Sequence, residues 1–153
     1  MSDLRAADAR ARERALEVGR SFIVQAPAGA GKTELLVRRF LALLATVAEP
    51  ESILAITFTR KAAAEMRDRV LGALAAVHAP DPARPLHERT LELARAALEA
   101  DRARGWNLLG QPGRLRIQTI DALNLGLARR LPLLSGLGAG LGVEEDARDL
   151  YRR

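Results

Sequence analysis

The sequence contains no cysteine. That excludes disulfides and thiolate metal sites and fits a reducing compartment. Aromatic residues make up 3% of the chain, so alanine, leucine and valine must fill whatever core forms. No apolar run approaches the roughly 20 residues needed to cross a bilayer. The charged N-terminus, "MSDLRAADARARERALEVGR", has no apolar segment of the kind a secretory signal carries. These absences predict a soluble, cytoplasmic protein. Lysine is nearly missing too. Among 24 basic residues it occurs only at Lys32 and Lys61, the others being arginine. Two positions therefore favour a compact ammonium over a guanidinium.

What is present suits one globular domain: 153 residues, of which 48% are hydrophobic. The net charge of +5 favours a polyanionic partner such as nucleic acid; a solvated basic surface is the plain alternative. Pattern and punctuation predict helices over 4–18, 32–47, 59–77, 86–104 and 121–131, and strands over 21–26 ("SFIVQA"), 52–58 ("SILAITF") and 114–120 ("RLRIQTI"). Residues 78–85 read as a proline-rich loop, 105–113 as turns, and 135–142 ("SGLGAGLG") as a glycine-rich linker before a further helix start. Strand and helix thus alternate three times, which predicts an α/β fold with a mostly parallel sheet and ligands at the carboxyl ends of its strands.

Lys32 lies at one such end, in Ala26-Pro27-Ala28-Gly29-Ala30-Gly31-Lys32-Thr33. Small residues between a strand and a helix let successive backbone N–H groups form a concave, partly positive nest, reinforced by the dipole of the helix that follows. A phosphate fits where larger side chains would exclude it. Lys32 is placed to reach the β- and γ-phosphates of ATP, Thr33 to put its hydroxyl on Mg²⁺, and Glu34 follows directly. The first position of the strict phosphate-loop pattern holds Ala26 instead of glycine, one small residue for another. Lys61 lies at a second strand end, in "ITFTRKAAAEM". There Thr57, Thr59, Lys61 and the first N–H groups of a helix suit another anion, and Phe58 offers a face to a base. An ordinary N-cap beside a core phenylalanine is the plain reading of the same residues. His78 and His87 have no partners at metal-ligand spacing, which favours surface roles.

These segments together resemble the superfamily 1 DNA helicases of the UvrD/Rep/RecB type, with the AddA or RecB-like subunits of bacterial helicase–nucleases the nearest in flavour. "QAPAGAGKTELLVRRF" is similar to their motif I, "ILAITFTRKAAAEMRDRV" to motif Ia, and "RLRIQTIDALNLGLARRLP" stands where motif Ib belongs. The resemblance spans residues 10–135. It implies a P-loop NTPase (RecA-like) fold, with residues 1–134 the N-terminal portion of an incomplete first helicase domain and 135–153 leading into an inserted helical subdomain. It implies that 26–33 cradle ATP, that Phe58, Thr59 and Lys61 contact single-stranded DNA, and that Thr119 contacts a DNA phosphate. The whole enzyme would hydrolyse ATP to move 3′ to 5′ along DNA in repair or recombination. It would act on single strands or DNA ends, away from any membrane, together with a partner helicase or nuclease subunit.

Three departures qualify the match. No glutamine stands near Ala11, where the family reads adenine, which leaves Arg10 or Arg12 to stack on the base. Asp121 replaces the histidine of motif Ib. No apolar strand is followed by the Asp-Glu pair that binds Mg²⁺, so the chain by itself is expected to bind nucleotide without hydrolysing it well. Two other readings fit the phosphate loop alone: a small phosphoryl-transfer kinase and a non-catalytic nucleotide-binding module.

Overall fold

The computed structural model describes residues 2–83 and 85–130, with side chains from residue 7 onward. The glycine-rich segment 135–142 and the helix start after it lie outside the described residues. The elements run α1 (Ser2–Arg14), α2 (Lys32–Leu44), β1 (Leu54–Thr57), α3 (Arg60–Ala76), α4 (Glu88–Arg104), β2 (Arg116–Thr119) and α5 (Ile120–Arg130), with short 3-10 turns at Pro50–Ser52 and Pro112–Arg114. Among the described residues no helix is long and apolar enough to cross a membrane.

The core forms where three helices bury one face each. Val37, Phe40, Leu41 and Leu44 recur at helical spacing on α2, as do Ala63, Met66, Val70, Ala73 and Leu74 on α3 and Ala94, Ala97 and Leu98 on α4. The spacing of three and four residues stacks them on one side of each helix. Alanine on α3 and α4 lets these helices approach closely, and Trp106, Leu108, Leu115 and Ile117 close the cluster from the connection into β2. A smaller cluster of Ala15, Leu16 and Leu35, with Phe22 against it, joins the end of α1 to α2.

β1 and β2 pair in parallel, Leu54 opposite Arg116 through Thr57 opposite Thr119. Two parallel neighbours need a crossover, and α3 and α4 supply it. Arg67 on α3 donates to the carbonyl of Ile117 and pins that crossover to β2. Both strands end at the same rim, and a helix leaves each of them there.

The expected strand over 21–26 is not formed. Residues 21–27 are irregular, and the described sheet contains only β1 and β2. A strand is defined by a hydrogen-bonded neighbour, and none of the described residues pairs with this segment. Phe22 packs against the smaller cluster, but Ile23 and Val24 are uncovered, 94% and 45% exposed. The alternation of strand and helix is therefore seen twice, not three times.

Arg114 fixes how the two strands enter the sheet. Its guanidinium donates to Glu51 Oε1 at 2.6 Å and Oε2 at 3.1 Å, and to Glu49 Oε2 at 2.9 Å. The 3-10 turn before β2 is thereby tied to the one before β1. The hydrogen bonds from Arg114 hold the Glu51 carboxyl below its ordinary range. A carboxyl lowered in the folded state stabilises the fold above its unfolded value of about 4.3 and loses that contribution as pH falls through the lowered folded value. Glu51→Gln is therefore expected to reduce the thermal midpoint by a constant amount from neutral pH down to about pH 5, the gap then closing on further acidification. Paired melting curves across that range check this; a gap that does not narrow on acidification would count against the assignment.

Candidate nucleotide and nucleic-acid site

The loop before α2 has the backbone that an anion nest requires. Gly29 and Gly31 have φ of 77° and 76°, a left-handed conformation in which a Cβ is strained. Gly31 is also the N-cap of α2. The helical ladder begins with Leu35 N–H donating to Gly31 O at 3.1 Å, so the N–H groups of Lys32, Thr33 and Glu34 precede its first rung. Helices α3, α4 and α5 are each closed by a side chain: Thr59 accepts from Ala62 N, His87 from Arg89 N and Thr119 from Ala122 N. α2 has no side-chain cap. Among the described residues no side chain accepts from its first N–H groups.

Lys32 folds back over that end. Its Nζ donates to the carbonyls of Ala26 and Pro27, both at 2.7 Å, so the ammonium bonds neutral oxygens of its own loop. Thr33 is exposed at the same helix start, as are Pro27 and Ala28, while Ala26 and Ala30 are half-buried. Between α1 and the loop lies a cavity of about 330 Å³ lined by Ala11, Arg12, Phe22, Gln25, Ala30 and Lys32, among others. Ala11, near which the family's adenine-reading glutamine is expected to align, is among the residues lining this cavity. Arg12 bonds the loop itself: its Nη2 donates to Ala30 O at 2.8 Å and its Nε to Asp8 Oδ2 at 2.7 Å.

Glu34 turns away from the loop. Its Oε1 accepts from Thr90 Oγ1 at 2.9 Å and from Arg38 Nε at 3.2 Å, and it lines a groove of about 830 Å³ beside α3. Lys61, with Glu65 and Asp68, lines the same groove. Glu34 of α2 and Lys61 of α3 thus share one groove, whereas Lys32 lines the separate cavity against α1.

Around the second lysine the residues divide by role. Phe58 is 94% exposed, not a core residue, at the point where β1 ends. Thr57 Oγ1 donates to Thr59 O at 3.0 Å, which spends its proton on closing the turn. Thr59 and Thr119 accept cap hydrogen bonds and each retains a hydroxyl proton to donate. Thr59 is exposed, whereas Thr119 is only 7% exposed. Asp121 is exposed in the first turn of α5. Among the described residues no group of three or more histidines and carboxylates could hold a metal ion. His87 is occupied as the α4 cap, and His78 Nε2 lies 3.2 Å from Arg102.

Two arginines matter more than their sequence context announces. Arg39, on α2, donates to the carbonyls of Ala15, Glu17 and Arg20 and lies over the Phe22 ring at 5.3 Å. It gathers the end of α1 and the chain beyond it. The Asp8–Arg12 spacing of four residues flags a helical ion pair, but nothing local points from Arg12 to Ala30, 18 positions away.

Comparison with known proteins places the sequence in a family. The UvrD/REP helicase N-terminal domain family matches residues 7–135. The AddA subunit of the ATP-dependent helicase/nuclease of Lacticaseibacillus casei is 31% identical over 134 residues, 87% of this chain and 10% of that protein. The protein of the same name from Moorella thermoacetica is 44% identical over 80 residues, 50% of this chain and 6% of its own length. The ATP-dependent DNA helicase UvrD1 of Mycobacterium bovis is 48% identical over 62 residues, 40% of this chain and 8% of its own. The chain thus spans about a tenth or less of these relatives. No solved structure matches it. With the family match covering both lysine-bearing loops and both strands, the chain belongs to the UvrD/REP helicase N-terminal domain family.

Proposed function

We propose that this chain is the ATP-binding N-terminal part of an ATP-dependent DNA helicase or translocase of the UvrD/RecB type, acting in bacterial DNA repair or recombination. In this reading residues 1–134 belong to a P-loop NTPase (RecA-like) domain, and 135–153 lead from it into a helical subdomain. The uncapped start of α2 carries the proposal. It presents N–H donors, two left-handed glycines and a lysine bonded only to its own loop. A triphosphate fits this donor set: its oxygens replace the Ala26 and Pro27 carbonyls at Lys32 Nζ and accept from the backbone of 29–33. Exchanging neutral acceptors for charged ones strengthens those hydrogen bonds.

Mg²⁺ is less completely provided for. Thr33 supplies one hydroxyl, and the neighbouring carboxylate of Glu34 is engaged by Arg38 and Thr90. In this reading the further carboxylates that turnover needs come from outside residues 26–34. Bound ATP would supply the hydrolysis that drives 3′ to 5′ translocation. Two of the relatives are named as subunits of a helicase/nuclease, which supports a partner protein in the working enzyme.

The DNA strand, in this reading, runs over the rim where β1 and β2 end. Phe58 stacks a base, Thr59 and Lys61 hold phosphate, and Thr119 donates its remaining hydroxyl proton from a more enclosed position. Thr57 shapes the turn beneath them. A metabolite kinase has no use for an exposed aromatic residue beside a second cationic helix start, so DNA binding separates the two readings.

Two measurements test this. Lys32→Ala is expected to weaken ATP binding about 10- to 100-fold, the range of a lost charge-assisted hydrogen bond, with the melting temperature unchanged. Titration calorimetry reads the affinity, and a melting curve reads the stability. Lys61→Ala is expected to lower single-stranded DNA affinity and to flatten its salt dependence by roughly 0.7 in log–log slope, the counterion release of one phosphate contact. Fluorescence anisotropy at several salt concentrations reads the slope. A wild-type protein that bound ATP but ignored DNA at low salt would return the chain to the kinase or nucleotide-binding reading.

A further inference from the structure

We propose that Arg12 is a positioning residue that orients the phosphate loop before any nucleotide arrives, by holding the Ala30 carbonyl. The proposal rests on the nucleotide-binding reading above and adds to it a residue from outside the loop. The Ala30–Gly31 peptide lies in a glycine-rich turn, with Gly29 and Gly31 both at positive φ. Gly31 visits several conformations at little cost; the turn bond from Ala30 N–H to Pro27 O steadies the preceding peptide, while the Ala30 carbonyl itself is held by Arg12. A trans peptide is planar, and its C=O and N–H point opposite ways. Arg12 draws the Ala30 oxygen towards α1 at 2.8 Å and so turns the Gly31 N–H away from α1. Lys32 secures the other half of the loop through the Ala26 and Pro27 carbonyls.

The clamp is itself held rigid. Asp8 fixes the guanidinium through Nε at 2.7 Å, and Arg39 fastens the end of α1 to α2 through the Ala15 carbonyl. Arg12 Nη1 lies 3.5 Å from where a Cβ on Gly31 would sit, so the guanidinium rests directly against the glycine whose N–H it directs. An arginine suits this task because its planar fork bonds Asp8 and Ala30 at once, which a lysine ammonium does not do in the same fixed geometry. Its effect on affinity comes from preorganisation, not from contact with the base.

The test compares ATP with inorganic tripolyphosphate, which has phosphates and no base. Titration calorimetry on the wild type, Arg12→Ala, Arg12→Lys and Asp8→Asn should show Arg12→Ala weakening both ligands by the same factor, about 10-fold for a lost hydrogen bond to a charged group. Arg12→Lys should lose nearly as much, and Asp8→Asn less but in the same sense. Circular dichroism establishes that each variant is folded; should Arg12→Ala disturb α1, the two conservative variants decide. Unchanged affinity, or full recovery in Arg12→Lys, would overturn the clamp. A loss confined to ATP would also overturn it and make Arg12 a base-stacking residue. A wild type that bound neither ligand would instead remove the nucleotide-binding reading beneath it.

Discussion

Everything functional in this chain is hung on the burial of one face of α2. Val37, Phe40, Leu41 and Leu44 pack it against α3 and α4, each such side chain contributing about 1.5–3 kcal/mol when removed from water. The same helix begins at the glycine that ends the glycine-rich loop, and Arg39 on another face collects the carbonyls that finish α1. The loop is therefore short of freedom at its far end because the core fixes α2, and at its near side because α2 fixes α1. Slack in that packing would reach the loop without any residue of the loop being changed.

The parallel pair of strands does the equivalent work for the loop around Lys61. Register places Thr57 beside Thr119, so α3 and α5 start next to each other, each with a threonine cap. A groove shared by Glu34 and Lys61 then relates α3 to α2. Two short stretches far apart in the chain meet because a crossover of two helices returns β2 to β1, and Arg114 keeps the two entry turns aligned by gripping Glu49 and Glu51.

Much of this was legible in the residues. Thr59 as a cap, the extent of α3 and α4 and the strand–loop–helix order at Lys61 follow from local chemistry, because caps and helical periodicity are short-range. The strand expected over 21–26 shows where local reading fails. "SFIVQA" has strand composition, yet strand identity belongs to the pair, and no neighbour is among the described residues. Phe58 is another case. An aromatic residue in an apolar run reads equally as core or as exposed platform, and only the direction of the chain leaving β1 decides for exposure. His87 as a cap, Glu34 turned towards Thr90 and Arg12 reaching Ala30 are set by tertiary placement. Arg38 and Glu34 meet Thr90 from 52 and 56 positions away, and Arg12 crosses a helix–loop junction. No motif encodes such contacts.

The uncovered side of β1 has a practical meaning. Leu54 and Ile56 are 40% and 49% exposed on one face of the strand, and Ile23 and Phe58 stand almost wholly in solvent. Such a surface beside an extended backbone is a template onto which a further extended segment can add. Within a longer polypeptide it invites a neighbouring stretch of the same molecule to settle there. In a preparation of these residues alone it invites other copies, so handling at low concentration, or with a solubilising fusion, becomes a condition for measuring anything about the loops it adjoins.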